Sequence, residues 1–387
     1  MDFRFSPEEQ EIWDLLTKVG TERFRPSAFE RKLDHSPPRE NLELLGELGI
    51  LGLCMPKEFG GSERPDVEGI LAIERITWAC PATGSYAMMS IGGPSMFIAR
   101  WGTDQQKSKY LPPIMAGTLF TSVSLTEPDA GTALTDLRTR AEIKGDVCLI
   151  NGQKTFCSSA PHSDLFLVFV RFWAGVGGIG AVLVDRNTPG FTIGPTHHFM
   201  GGQSWAELYF DNAEVPLENI LFEGNGFKSL MSTYNIERAA GGATMLGTAQ
   251  IAMDMAVSYA KERKQFGRSI GEFQFVQGRL AEMYMAMESA RLLLYKAAAN
   301  GDDGTAARLD SSVMKVVTHE VATSVIHNAM MIHGASGMTQ DLPLEWLYRL
   351  VTPYLIAGGT VDIHRGMIAG ELIGMRINHR IEAGIRV

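Results

Sequence analysis

The feature that most constrains the fold is a change of hydrophobic period between residues 118 and 224. The segments "FTSVSL", "VCLING", "LFLVFVRFW", "IGAVLVD", "FTIGP" and "WAELYFDNAEVP" are short, rich in β-branched and aromatic residues, and separated by Gly, Pro, Asn and Asp. That pattern predicts antiparallel strands forming a sandwich or barrel. On either side the apolar residues recur at helical spacing. "SPEEQEIWDLLTKV" opens with Ser6 as N-cap, Pro7 at the first helical position and Glu9 three residues after the cap, with Ile12, Leu15, Leu16 and Val19 as its apolar face. "ENLELLGELGILGLCM" and "VEGILAIERITWAC" repeat the pattern. After residue 226, four long helical segments are expected near 226–262, 270–299, 305–333 and 343–380, as an antiparallel bundle. The fold class is therefore α+β. A helical N-terminal domain (1–117), a middle antiparallel β domain (118–225) and a C-terminal four-helix bundle (226–387) follow in order.

Composition narrows the function classes. The net charge of −9 argues against a nucleic-acid surface. No window supplies the roughly 20 apolar residues of a membrane span, and the charged N-terminus lacks a signal-peptide core. Four scattered cysteines read as reduced thiols of a cytoplasmic protein. No HExxH or histidine cluster points to a metal, and His197 and His198 are neighbours that a strand would turn to opposite faces. "GVGGIG" at 175–180 has the form of a dinucleotide-binding glycine motif, but a strand follows it instead of a helix. It reads as a hairpin turn, and no nicotinamide site is expected.

Two features carry chemistry. Leu230, Tyr234, Glu237 and Gly241 fall on one helical face, beside a run of small residues from Ala239 to Ala243. A carboxylate on such a face is costly unless it is paired, hydrogen-bonded or protonated. Spacing alone leaves open an internal ion pair, with Arg238 or a distant arginine, and a functional acid. The second feature is "LIAGGT" (355–360), where Gly358 and Gly359 interrupt the approach to the last helix at about 1 kcal/mol each against alanine.

Three motifs, "SLTEPDAGT" (124–132), "ERKQFGRSIGEFQFVQGRLAEM" (262–283) and "GGTVDIHR" (358–365), resemble the signatures of the acyl-CoA dehydrogenases, and the resemblance runs through the whole chain. It implies FAD as cofactor, an acyl-CoA substrate, electron-transfer flavoprotein as acceptor, and a homotetramer whose flavin sites are completed by a neighbouring subunit. By resemblance, Val123, Ser124, Leu125, Thr126, Gly131 and Thr132 line the flavin ring. Phe156, Cys157 and Ser158 stand where the family usually has Trp-Ile-Thr. Arg263, Gln265, Phe266, Phe273 and Gln274 match contacts to the diphosphate and adenosine of a neighbour's FAD, where arginine forks onto phosphate. Met331, His333, Gly334 and Ala335 match a loop usually richer in Gln and Gly, and Thr360 and Asp362 flank the flavin. Tyr234, Asn235, Arg238, Gly359 and Thr132 match positions that meet the acyl-CoA.

One departure is large. Most members carry Tyr-Glu-Gly-Thr, with the glutamate as catalytic base, where this chain has Ala357-Gly358-Gly359-Thr360. A minority resembling isovaleryl-CoA dehydrogenase place the base just before the arginine of "YNIER", which is Glu237 here. The resemblance then implies α,β-dehydrogenation. Glu237 would take the α-proton, the β-hydrogen would leave as hydride to flavin N5, and the Gly358 N–H would face the developing enolate oxygen. Asp362 is a reserve base. The empty side-chain space at Gly358 would suit a branched, cyclic or bulky acyl group, and the apolar stretch 86–102 would contribute to its pocket. Relatives with the glycine variant also include enoyl-CoA reductases and sulfinoacyl-CoA desulfinases. A carrier-protein thioester and a non-catalytic flavoprotein subunit are further alternatives.

Overall fold

A computed structural model describes residues 4–32, 36–301 and 304–375; residues 376–380 of the expected last helix lie outside them. Helices α1 (Pro7–Val19), α2 (Arg39–Glu47), α3 (Asp66–Ala79), α4 (Pro81–Ile91), α5 (Pro94–Trp101) and α6 (Asp104–Met115) form the first layer. Ser6 and Glu9 cap α1 reciprocally, as the sequence predicts, but Leu15 points outward and leaves Leu16 as the buried anchor.

The middle part contains β1 (Thr121–Ser124), β2 (Arg140–Lys144), β3 (Val147–Ser158), β4 (Leu165–Arg171), β5 (Ile179–Asp185), β6 (Phe191–Ile193), β7 (His197–His198), β8 (Ser204–Pro216) and β9 (Ile220–Phe222). Its main order is β6-β8-β3-β2-β4-β5-β9, with β1 beside β4 and β7 beside β8. The expectation of a wholly antiparallel sheet needs correction. β1 runs parallel to β4, from Thr121 opposite Leu165 to Ser124 opposite Val168, and β2 meets β4 in parallel at Arg140 and Arg171. β1 enters from α6 and reaches β4 without a hairpin, so no tight turn imposes the antiparallel sense. Of "GVGGIG", Gly175 to Gly178 lie in the turn joining antiparallel β4 and β5, and Ile179 and Gly180 begin β5.

The last part holds α7 (Phe227–Glu262), a small hairpin of β10 (Lys264–Gln265) and β11 (Arg268–Ser269), α8 (Gln274–Ala299), α9 (Gly304–His333), α10 (Leu344–Val351) and α11 (Val361–Ile373). The fourth expected helix is thus two, split over 352–360. Pro353 supplies no N–H to continue α10, and Gly358 and Gly359 take φ of +71° and +97°, which a helix cannot contain. The parts interlock around α7. Trp101 of α5 donates to Thr233 (2.8 Å), Gly92 after α4 packs against Ala240, and Trp346 of α10 donates to the Gly201 carbonyl of the sheet domain (2.9 Å). Among the described residues no helix is long and apolar enough to cross a membrane.

Candidate active site

The site is built from the middle of α7 outward. Between Ile236 and Thr248 nearly every residue is buried, because small side chains let α3, α4 and α9 approach closely. Glu237 sits at the start of this tract yet is only partly covered, so its carboxylate faces a recess within the molecule. One turn on, Gly241 is buried, yet a Cβ placed there would meet nothing within 4 Å. Open volume therefore adjoins Glu237 along its own helix face.

The ion pair that spacing left open does not form. Among the described residues, nothing is in hydrogen-bond or ion-pair contact with the Glu237 carboxylate. Arg238 turns away, donating from Nε to the Gly358 carbonyl (3.0 Å) and from a terminal nitrogen to Asn235 (3.0 Å). Burial pushes the Glu237 carboxyl above the usual carboxylate range, and the charges of Arg238 and Lys315 pull it partly back. A Cβ built on Gly358 would stand 3.8 Å from Glu237 Oε2 and 3.8 Å from Arg238 Cγ. The carboxylate thus reaches the edge of the space that a side chain at 358 would enter.

The structure places the remaining residues in three groups. Tyr234 is buried edge-on against Phe97 at 5.8 Å, and Gly359 abuts His364, whose Nε2 would lie 2.9 Å from an added Cβ. Thr360 caps α11 by accepting from Ile363 N (3.2 Å). Asp362 is exposed and pairs with Arg365 of its own helix.

The second group is on the sheet. Val123 and Ser124 end β1, and the Ser124 hydroxyl is buried with no nitrogen or oxygen partner, beside the Cys157 thiol. Leu125 and Thr126 are fixed through their carbonyls by Lys154 Nζ (3.2 Å) and Thr155 N (2.9 Å). Gly131 and Thr132 are exposed. A bulge in β3 swings Phe156 out at φ +53°, 55% exposed and against Trp205 at 4.6 Å, between buried Thr155 and Cys157. Strained backbone of this kind clusters at functional sites. Ser158 is exposed, and its carbonyl accepts from Ser122.

The third group projects from the α7–α8 connection. Arg263, Gln265 and Gln274 are exposed. Phe266 and Gly267 both take positive φ in the two-residue hairpin turn, and the Phe266 ring is 94% exposed, edge-on to Phe273 at 6.1 Å. Met331, Gly334 and Ala335 are exposed at the end of α9, whereas His333 is buried and stacked on Tyr259 at 4.3 Å.

Sequence reasoning missed Lys315, His319 and His364. Lys315 is 2% exposed and donates to the carbonyls of Tyr354 (2.6 Å) and Ala357 (2.8 Å). Its signal was present, since Ser311, Lys315 and His319 share one face of α9 with otherwise buried neighbours. Among the described residues no cluster could hold a metal ion.

A buried hydroxyl at Ser124 without a nitrogen or oxygen partner and a displaced aromatic at Phe156 suit a flat ring system, and the exposed Phe266 ring and the exposed Arg263 on the α7–α8 connection suit a phosphate-bearing tail. The comparisons agree. Family models match in order, the acyl-CoA dehydrogenase N-terminal domain over residues 6–118, the middle domain over 122–213 and the C-terminal domain over 224–373. The chain is 34% identical over 377 residues to a 3-(aryl)acrylate reductase of Clostridium sporogenes, covering 95% of this chain and 99% of that protein. It is 33% identical over 390 residues to a 3-sulfinopropanoyl-CoA desulfinase of Paraburkholderia xenovorans, covering 98% and 100%. A solved structure described as the electron transferring flavoprotein of Acidaminococcus fermentans superposes with a TM-score of 0.92 at 36% identity, covering 96% of this chain and all of that one. The fold, the site and the matched models make this chain a member of the acyl-CoA dehydrogenase family, FAD-dependent oxidoreductases that act on acyl-CoA.

Proposed function

We propose that this chain catalyses α,β-dehydrogenation of an acyl-CoA thioester with Glu237 as the residue that takes the α-proton. The observation carrying this is the placement of Glu237 Oε2 at 3.8 Å from the Cβ position of Gly358, in a recess and without an ion-pair partner among the described residues. Burial raises the proton affinity of the carboxyl, the direction in which a base that must take a weakly acidic proton is tuned. The Gly358 N–H, whose carbonyl is held by Arg238, is the donor for the thioester oxygen as charge develops there. FAD, when bound, supplies the two-electron acceptor for the β-hydrogen.

Val123, Ser124, Leu125, Thr126, Gly131, Thr132, Phe156, Cys157, Ser158, Thr360 and Asp362 would hold the flavin end. Arg263, Gln265, Phe266, Phe273, Gln274, Met331, His333, Gly334 and Ala335 would complete a neighbour's site in a homotetramer. Strongly exposed Phe275 and Leu372 favour such assembly. Thr132, Tyr234, Asn235, Arg238 and Gly359 would meet the acyl-CoA. Bare Gly358 and the open space at Gly241 favour a branched, cyclic or otherwise bulky acyl group. Electron-transfer flavoprotein is the proposed acceptor, in line with the described neighbour structure.

The test is anaerobic flavin bleaching by straight, branched, alicyclic and aromatic acyl-CoAs. We expect bleaching by at least one bulky saturated thioester. If none bleaches, the dehydrogenase direction is wrong. Reoxidation of reduced enzyme by an enoyl thioester alone would instead favour a reductase, the reading that the arylacrylate-reducing relative supports.

A further inference from the structure

A buried polar layer lies between α7, α9 and α11, behind Glu237. Burying a lysine is among the most expensive placements in a fold unless its charge is answered. Lys315 has no carboxylate in ion-pair contact among the described residues. Its Nζ is answered by two backbone carbonyls of the glycine turn, those of Tyr354 and Ala357. The next carbonyl, of Gly358, accepts from Arg238 of α7 and faces His364 Nε2 of α11 at 3.3 Å. Three carbonyls of one short turn are therefore drawn inward by side chains from three helices. With its carbonyl edge inward, the turn leaves the N–H groups of Gly358 and Gly359 without acceptors among the described residues.

The groups facing this layer can be named element by element. Arg238 of α7 and Lys315 of α9 act on Glu237, and Glu237 in turn raises the phenols of Tyr234 on α7 and Tyr354 in the turn. Glu237, Arg238, His319 and His364 surround Lys315. Burial drives the His364 imidazole down to about 4 and His319 well below its usual value, so both are neutral at working pH. Arg238 and Lys315 are then the cations left to answer Glu237. Burial lowers Lys315 to about 7, and the charge of Glu237 works against that fall.

We propose that Lys315 is a positioning residue of this site: it pins the 354–358 turn by two carbonyls and, as counter-charge, sets the protonation equilibrium of Glu237. The proposal rests on Glu237 being the base. Arg238 is the other cation near Glu237, but its guanidinium donates to Asn235 and Gly358 and holds neither the Tyr354 nor the Ala357 carbonyl, so it cannot replace Lys315 as the pin of the turn. Nor is Lys315 itself the base, since it is enclosed and both its contacts are to carbonyls.

The experiment uses the full chain loaded with FAD and a 3-thiaacyl-CoA, whose sulfur acidifies the α-protons and prevents hydride loss. Removal of the α-proton is read as a long-wavelength absorbance band, titrated against pH without turnover. Lys315→Met should raise the midpoint of the band by about one pH unit or more, since an opposite charge near a carboxylate lowers its pKa by about 1–3 units. Lys315→Gln, which keeps a donor but no charge, should raise it similarly and carries the test if the methionine variant fails to fold. Lys315→Arg, which keeps the charge, should stay near wild type. An unmoved midpoint in both neutral variants, with the band absent in Glu237→Gln, overturns the role of Lys315 and leaves the base in place. An undiminished band in Glu237→Gln overturns both.

Discussion

Two buried lysines in this chain hold loops of the candidate site, and they do so under opposite electrostatic conditions. Lys154 is fully buried in β3, 2.8 Å from the Glu127 carboxylate, and also donates to the Leu125 carbonyl. Glu127 accepts in turn from the backbone N–H groups of Arg138 and Thr139. Burial pushes Glu127 up, but the Lys154 contact and these hydrogen bonds override it and hold the carboxyl below its usual range. Every charge there is spent locally, which makes the pair a rigid staple for the loop from Ser124 to Thr132. Among the described residues, Lys315 has only carbonyls in polar contact, and Glu237, the carboxylate it answers, has no hydrogen-bond or ion-pair partner. The lesson is that a buried charge left without a contact partner acts beyond its own hydrogen bonds, and groups of that kind cluster at functional sites.

The largest expected effect separates the two carboxylates. Glu237→Gln should lower the rate of flavin reduction by a saturated thioester by about 10²–10⁴-fold, the usual contribution of a general base, while FAD content is retained. A wild-type rate in stopped-flow would remove Glu237 from the chemistry and erase the distinction from Glu127.

Next in size is the stability contrast between the lysines. Lys154→Met strands Glu127 as an unpaired buried charge and should cost about 3–5 kcal/mol in urea unfolding. Lys315→Met removes a buried charge without stranding a contacting carboxylate and orphans two carbonyls that the turn can re-aim, so its cost should be smaller than that of Lys154→Met. Equal losses would mean that Lys315 is as tightly paired as Lys154.

The smallest effect concerns the turn that Lys315 holds. Gly358→Ala meets no atom closer than 3.8 Å, so its cost should be only the strain of a side chain at φ +71°, about 1–2 kcal/mol. A much larger loss of thermal stability would show that the turn is packed more tightly than its open surroundings indicate.

How much of this was legible in the sequence follows from the range of each cause. The three-part plan could be read because hydrophobic period is local, as could the capping box at Ser6 and Glu9 and the hairpin turn at 175–180. The direction of β1 could not, because its partner β4 begins about 40 residues later and no turn links them. The break between α10 and α11 was half visible: the glycines were noticed, but Pro353 was read through as helix. Glu237 stood out because a carboxylate on a small-residue face is anomalous. Lys315 was equally anomalous on the Ser311–His319 face. It was overlooked because its partners, the carbonyls of residues 354 and 357, carry no side-chain signature.

The turn at Gly358 has a consequence for the chain's history. A glutamate installed there by substitution would be strained by the left-handed backbone and would enter space within 3.8 Å of Glu237 Oε2, where two like charges cannot both ionise comfortably. If Glu237 is the base, as proposed, losing it first would leave no base at either position. Each single step between the two arrangements passes through a poorer molecule. The location of the acid in this backbone is thus held by the difficulty of the path back as much as by any merit of its present place.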